Sequence, residues 1–144
     1  MKDYRLVSIN DEPSTADKEV MKEGMLAYHQ SKGHIRNQEF FSTVIKDKMN
    51  KTCGIVVVSF LWNGMHIQTL WIDESIRNQG WGTKLMEIAE KEAVKRGCNL
   101  AYTDTYSWQA PEFYKKLGYT LYAKLEDFPK GCSLSYFKKI LGNN

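Results

Sequence analysis

Several absences narrow the field before any motif is read. The 144-residue chain has only three cysteines, Cys53, Cys98 and Cys132, at irregular spacing and with no CxxC pair. That argues against a zinc site, a thioredoxin-like motif or a disulfide framework. Reduced thiols in a cytoplasmic protein are the expectation. No run of about 18 apolar residues exists, so no membrane-spanning helix is expected. The opening MKDYRLVSIN lacks the apolar core of a signal peptide. Charge of one sign is also lacking. Lys and Arg number 20 against 17 Asp and Glu, a net +3. So small and evenly spread an excess points away from nucleic acid and anionic membranes as partners. Repeats, linkers and low-complexity segments are absent too.

What remains is ordinary globular composition, 42% hydrophobic and 26% charged. The length suits a single domain over residues 1–144. Residues 4–9 alternate as a first strand would. Ser14 is a helix N-cap candidate. Val20, Met21, Met25, Leu26 and Tyr28 then recur at helical spacing, and Gly33 ends that helix. Residues 40–45 and 54–61 (GIVVVSFL) read as strands. Asn63-Gly64 suits a tight type I′ turn into a return strand over 65–72. Residues 80–96 form the clearest helix, with Leu85, Met86, Ile88, Ala89, Ala93 and Val94 on one face. Glu87–Lys91 and Glu92–Arg96 are favourable i,i+4 pairs on it. A strand over 99–105, a short helix over 110–116 and strands over 119–124 and 134–141 complete the chain. The fold class is α/β, mixed, with a largely antiparallel central sheet flanked by helices.

The chemistry concentrates in Arg77-Asn78-Gln79-Gly80-Trp81-Gly82-Thr83, between a strand and that helix. Gly80 and Gly82 let backbone N–H groups approach a ligand. Those donors sit at a helix N-terminus, where the dipole favours an anion. Arg77 adds a charge-assisted contact to phosphate. The Gly-Lys-Ser/Thr ending of a P-loop is missing. The third glycine of a dinucleotide fingerprint is missing too, and a hairpin precedes the turn instead of a βαβ unit.

Three segments in order, LWIDESIRNQGWGTKLM, NLAYTDTYSWQAPEFYKKLGY and the hairpin before them, resemble the GNAT superfamily of acyl-CoA-dependent N-acyltransferases. The tail LEDFPKGCSLSYFKKIL resembles a short single-domain subgroup, many of whose members carry His where this chain has Cys132. The resemblance implies acetyl-CoA as co-substrate, no metal, and a V-shaped opening where the fourth and fifth expected strands splay apart. Pantetheine would pair with Leu70 and Ile72, and N–H groups of Gln79, Gly80, Gly82 and Thr83 would hold the diphosphate. A backbone N–H near Trp71 or Ile72 would polarise the thioester. Tyr114 would protonate the departing thiolate, and Gln109 stands where the family commonly has an Asn on the pantetheine arm.

Direct transfer to an amine also needs a base. Asp104, at the end of the splayed strand, is the first candidate; Asp73, Glu74 and His66 are others. Tyr28, Trp62, Tyr106, Trp108 and Phe128 could line a pocket for a small-molecule or peptide amine. Each could equally serve a core or a homodimer contact. A CoA-binding sensor without efficient turnover is the competing reading, and an unrelated α/β interaction domain the third.

Overall fold

A computed structural model describes residues 3–142. The chain divides into two compact units, Met1–Arg36 and Asn37–Asn144. The first holds one helix, α1 (Thr15–Ser31). Ser14 caps it as expected, its Oγ accepting from the Asp17 N–H at 3.1 Å. Beyond it, Gly33 takes the left-handed φ of +83°. Residues 4–9 form no strand. Alternation gives such a segment two faces, but a strand is stable only with a ladder partner.

The second unit is a six-stranded sheet with two helices. Its strands are β1 (Glu39–Lys46), β2 (Thr52–Leu61), β3 (Gly64–Ile72), β4 (Leu100–Tyr106), β5 (Thr120–Glu126) and β6 (Ser133–Ile140), in the order β1-β2-β3-β4-β6-β5. Every pairing is antiparallel except β3 with β4. The expected mixed, largely antiparallel sheet is therefore present. The splayed strands are β3 and β4, one number lower than expected because residues 4–9 do not join the count.

The β2–β3 hairpin differs from the Asn-Gly reading. Leu61 pairs with Gly64, so the two-residue loop is Trp62-Asn63. Trp62 takes the left-handed φ, +53°. Asn63 instead ties the tip to β4. Its Nδ2 donates to Asn99 Oδ1 at 2.8 Å, and its carbonyl accepts from the Asn99 N–H at 3.1 Å.

Helix α2 (Trp81–Lys95) buries Leu85, Met86, Ala89 and Ala93 against Val56, Val58, Met65, Ile67 and Phe137. Ile88 and Val94 are exposed, off the buried stripe. The 3.6-residue period puts positions 85, 89 and 93 in one row, with 86 beside it. Of the two expected ion pairs, Glu92–Arg96 forms, at 2.9 Å. The Arg96 guanidinium also reaches Glu39 at 2.8 Å and covers the Phe60 ring at 4.4 Å, fastening the end of α2 to β1 and β2. Helix α3 (Pro111–Lys116) starts on Pro111, where the missing N–H costs nothing.

Candidate active site

Parallel pairing of β3 with β4 covers Gly64↔Leu100, Met65↔Ala101 and His66↔Tyr102, then stops, although both strands continue. A bulge explains the parting. Val57 faces Thr69 and Val58 faces Ile67, which leaves Gln68 as an extra residue in β3. A bulge bends its strand and re-aims the residues beyond it. At the first unpaired position the buried Thr103 hydroxyl donates to the Ile67 carbonyl at 2.9 Å, so that carbonyl is not left unsatisfied.

A cleft of about 590 Å³ opens at this end of the sheet. One wall is Leu70, Trp71 and Ile72 of β3; the floor is Arg77, Asn78, Gly80, Trp81, Gly82 and Thr83. Gln109 joins the opposite wall. Sequence reasoning missed Ile76, Ala110 and Phe113, and assigned Trp108 to the acceptor side when it lines this cleft. Gln79 and Tyr114 do not line it.

The floor is shaped by backbone conformation. Asp73 begins a short 3-10 turn, Glu74–Ile76, its carboxylate accepting from the Ser75 N–H at 3.0 Å and from the Ser75 hydroxyl. Those two hydrogen bonds hold the Asp73 carboxyl below its ordinary range, so this candidate base serves as a cap. Arg77 Nε donates to the Ile72 carbonyl at 2.9 Å, which ties the turn to the last residue of β3. Asn78 and Gly80 both take left-handed φ, +62° and +85°.

Gly80 is the N-cap of α2 and supplies no side-chain hydrogen bond. Helix α1 differs, since there Ser14 occupies an N–H of the first turn. At α2 the first-turn N–H groups have neither an intrahelical partner nor a capping side chain. Glycine at position 82 leaves room for the Phe113 ring, because a Cβ there would lie 3.2 Å from two of its carbons and the ring would have to shift by a few tenths of an ångström. Lys84, outside the cleft lining, sets its ammonium 4.6 Å from the Trp81 ring centroid. Free donors, the helix dipole and the Arg77 guanidinium share one floor, which suits a phosphate or diphosphate.

Gln109 closes the turn after β4. Its side-chain oxygen accepts from the Tyr106 N–H at 2.7 Å, while Thr105 Oγ1 accepts from the Ala110 N–H at 3.1 Å. Tyr114 is buried at 5% exposure, edge-on to Tyr119 at 5.6 Å and near Phe137 at 6.1 Å. Burial raises its pKa; a side-chain hydrogen bond with Thr103 opposes this, and the Asp104 charge adds to it.

Thr103 and Asp104 are adjacent on β4, so their side chains leave opposite faces of the sheet. Thr103 is buried with Tyr114, and Asp104 is exposed. On the Asp104 face, His66 stacks on Tyr102 at 4.8 Å and 10°. Burial lowers the His66 pKa, with Asp104 opposing. Tyr106, Trp108 and Phe128 form one aromatic group, Tyr106 lying 4.6 Å from Trp108 and 6.1 Å from Phe128. Trp62 sits at the hairpin tip, the end of β3 away from the splay. Tyr28 belongs to α1 in the first unit. Cys132 lies in the β5–β6 loop, where its N–H donates to the Pro129 carbonyl at 2.8 Å. Among the described residues no cluster of three His, Cys, Asp or Glu is arranged to hold a metal, and no helix is long and apolar enough to cross a membrane.

Comparison with known proteins agrees with this geometry. The model of the acetyltransferase (GNAT) family matches residues 5–119. Blasticidin-S acetyltransferase of Streptomyces morookaense is 30% identical over 128 residues, covering 88% of this chain and 89% of that one. An acetyltransferase of Agrobacterium fabrum is 27% identical over 131 residues, 91% and 96% of the two chains. The crystal structure of an acetyltransferase from Bacillus cereus superposes with a TM-score of 0.83 at 36% identity, over 93% of this chain and 98% of that one. The chain belongs to the GNAT family of acetyltransferases and is an acyltransferase.

Proposed function

We propose that this protein transfers an acetyl group from acetyl-CoA to the primary amine of a small molecule by direct attack. The observation that carries the reading is the uncapped glycine start of α2 beside the splay of β3 from β4. The residues present fit acetyl-CoA. Backbone N–H groups of Gly80, Gly82 and Thr83, with Arg77, hold the diphosphate, and Gln79, outside the cleft lining, contributes at most its backbone N–H. The β3 edge at Leu70 and Ile72 and the Gln109 amide hold the pantetheine arm. A backbone N–H near Trp71 or Ile72 polarises the thioester carbonyl. The name of the Streptomyces relative supports a small-molecule acceptor over a peptide.

The amine loses a proton to Asp104, its nitrogen bonds to the acetyl carbon, and the carbon–sulfur bond breaks. The departing thiolate takes a proton from Tyr114, which burial keeps protonated at neutral pH. Asp104 and the Thr103–Tyr114 pair on opposite faces of β4 suit these two transfers. The family match crosses the boundary between the two units, which supports one acetyltransferase domain over residues 1–144. Three free thiols fit a cytoplasmic site of action.

The deep burial of Tyr114 favours a second reading, a donor-binding module with little turnover. Release of CoA thiol across an amine panel decides between them. The transferase reading expects amine-dependent release. Tight acetyl-CoA binding with no release for any amine would favour the module.

A further inference from the structure

Asp104 stands among tyrosines. Tyr102 and Tyr106 are its neighbours on the same strand and the same face. Across the ladder, β6 sets Tyr136 directly opposite it, within the roughly 4.5–5.5 Å Cβ separation of such pairs. The remaining side would hold β3, but that pairing ends at His66↔Tyr102, one residue short of Thr103 and two short of Asp104. Asp104 is therefore flanked by three tyrosine positions and has no paired neighbour toward the splay. Two of the rings are held in place, Tyr102 by the His66 stack and Tyr106 by Trp108.

Asp104 is exposed and has no ion-pair partner among the described residues. The nearest cation in the ladder is Lys138, which pairs with Tyr102. Its ammonium lies 5.7 Å over the Tyr122 ring instead. Among the described residues His66 is the titratable cation that interacts with Asp104, and burial disfavours its charged form; tyrosine rings beside such a carboxylate attract a cation through the ring quadrupoles as well as the charge.

We infer that the acceptor is a cationic small molecule whose ammonium group is held at Asp104 inside the ring formed by Tyr102, Tyr106 and Tyr136. The inference rests on the transferase reading above and adds its substrate class and the face it approaches from. The ammonium enters on the side of the sheet away from Tyr114 and gives one proton to Asp104; the neutral amine attacks through the splay, the carbon–sulfur bond breaks with Tyr114 protonating the thiolate, and the second N–H proton passes to solvent. Aliphatic amines, charged at neutral pH, are taken; arylamines, neutral there, are not. A quaternary ammonium fits but has no proton to give, so it occupies the cage without reacting.

The test is steady-state thiol release with aliphatic and aromatic amines, and with tetramethylammonium as the probe. Tetramethylammonium should compete with the amine and not with acetyl-CoA. Tyr136→Ala should raise the KM for the amine about tenfold and weaken the probe in parallel, leaving the acetyl-CoA KM within about twofold. Tyr136→Phe keeps the ring and should restore both. Thiol release with unchanged amine KM in Tyr136→Ala, or equal rates for arylamines, would overturn the cage and leave the transferase reading standing. Absence of release with every amine would overturn that reading and the cage with it.

Discussion

Tyr114 meets two demands that usually conflict. It packs among Phe113, Tyr119 and Phe137, and its hydroxyl still has Thr103 as a polar partner beside the splay. Tyr114→Phe keeps the packing and removes the proton. Turnover should fall about a hundredfold or more, with the acetyl-CoA KM changed little. Unchanged turnover would remove Tyr114 from the chemistry. His66 offers a second residue-level test. Burial lowers its pKa in the folded state, so the unfolded chain takes up a proton first as pH falls. The stability it contributes is full above about 6.5 and is lost as pH drops through the window below that value. Denaturant midpoints at about pH 7.5 and about pH 5.5 should therefore differ more for the wild type than for His66→Gln. An equal difference would show that His66 is not the group responsible. The glycine at position 80 was legible from residue type, because a left-handed φ of +85° at the start of a helix favours glycine; the Phe113 ring beside Gly82 was not, since it comes from a distant helix. Nor was the placement of Trp108, because nothing local distinguishes a ring facing the donor cleft from one facing an acceptor.

At the scale of elements, the start of α2 is where local sequence and function meet. Gly80 is held in a conformation that costs another residue about 1–2 kcal/mol. Gly80→Ala should lower stability by about that amount, seen as a reduced urea midpoint, and should weaken acetyl-CoA binding. An unchanged midpoint would mean that the turn can relax. Helices and strands from 39 to 140 were legible, mostly within two residues, because period and turn chemistry are local. Residues 4–9 were misread because alternation cannot reveal whether a partner strand exists. The hairpin was misread by one residue because the β2–β3 register, not the Asn-Gly pair, sets its loop. The bulge at Gln68 left no local signal, since it is a property of two strands together.

At the scale of the whole molecule, the parting of β3 and β4 creates the cleft, and ligand there should stabilise the fold. A ligand at 100 times its Kd adds about 2.7 kcal/mol. For a chain of this length that raises Tm by roughly 5–10 °C. No shift with millimolar acetyl-CoA would count against the donor site. Sheet order was the least legible property. That β6 inserts between β4 and β5 depends on which strands meet, and it is this insertion that sets Tyr136 against Asp104. The most direct test is mass spectrometry of aliphatic amines incubated with acetyl-CoA and the protein, with free CoA measured in the same sample. Acetylated amine should appear in step with free CoA, and both should fall sharply in Tyr114→Phe. Bound acetyl-CoA with no acetylated product from any amine would contradict the transfer reaction itself.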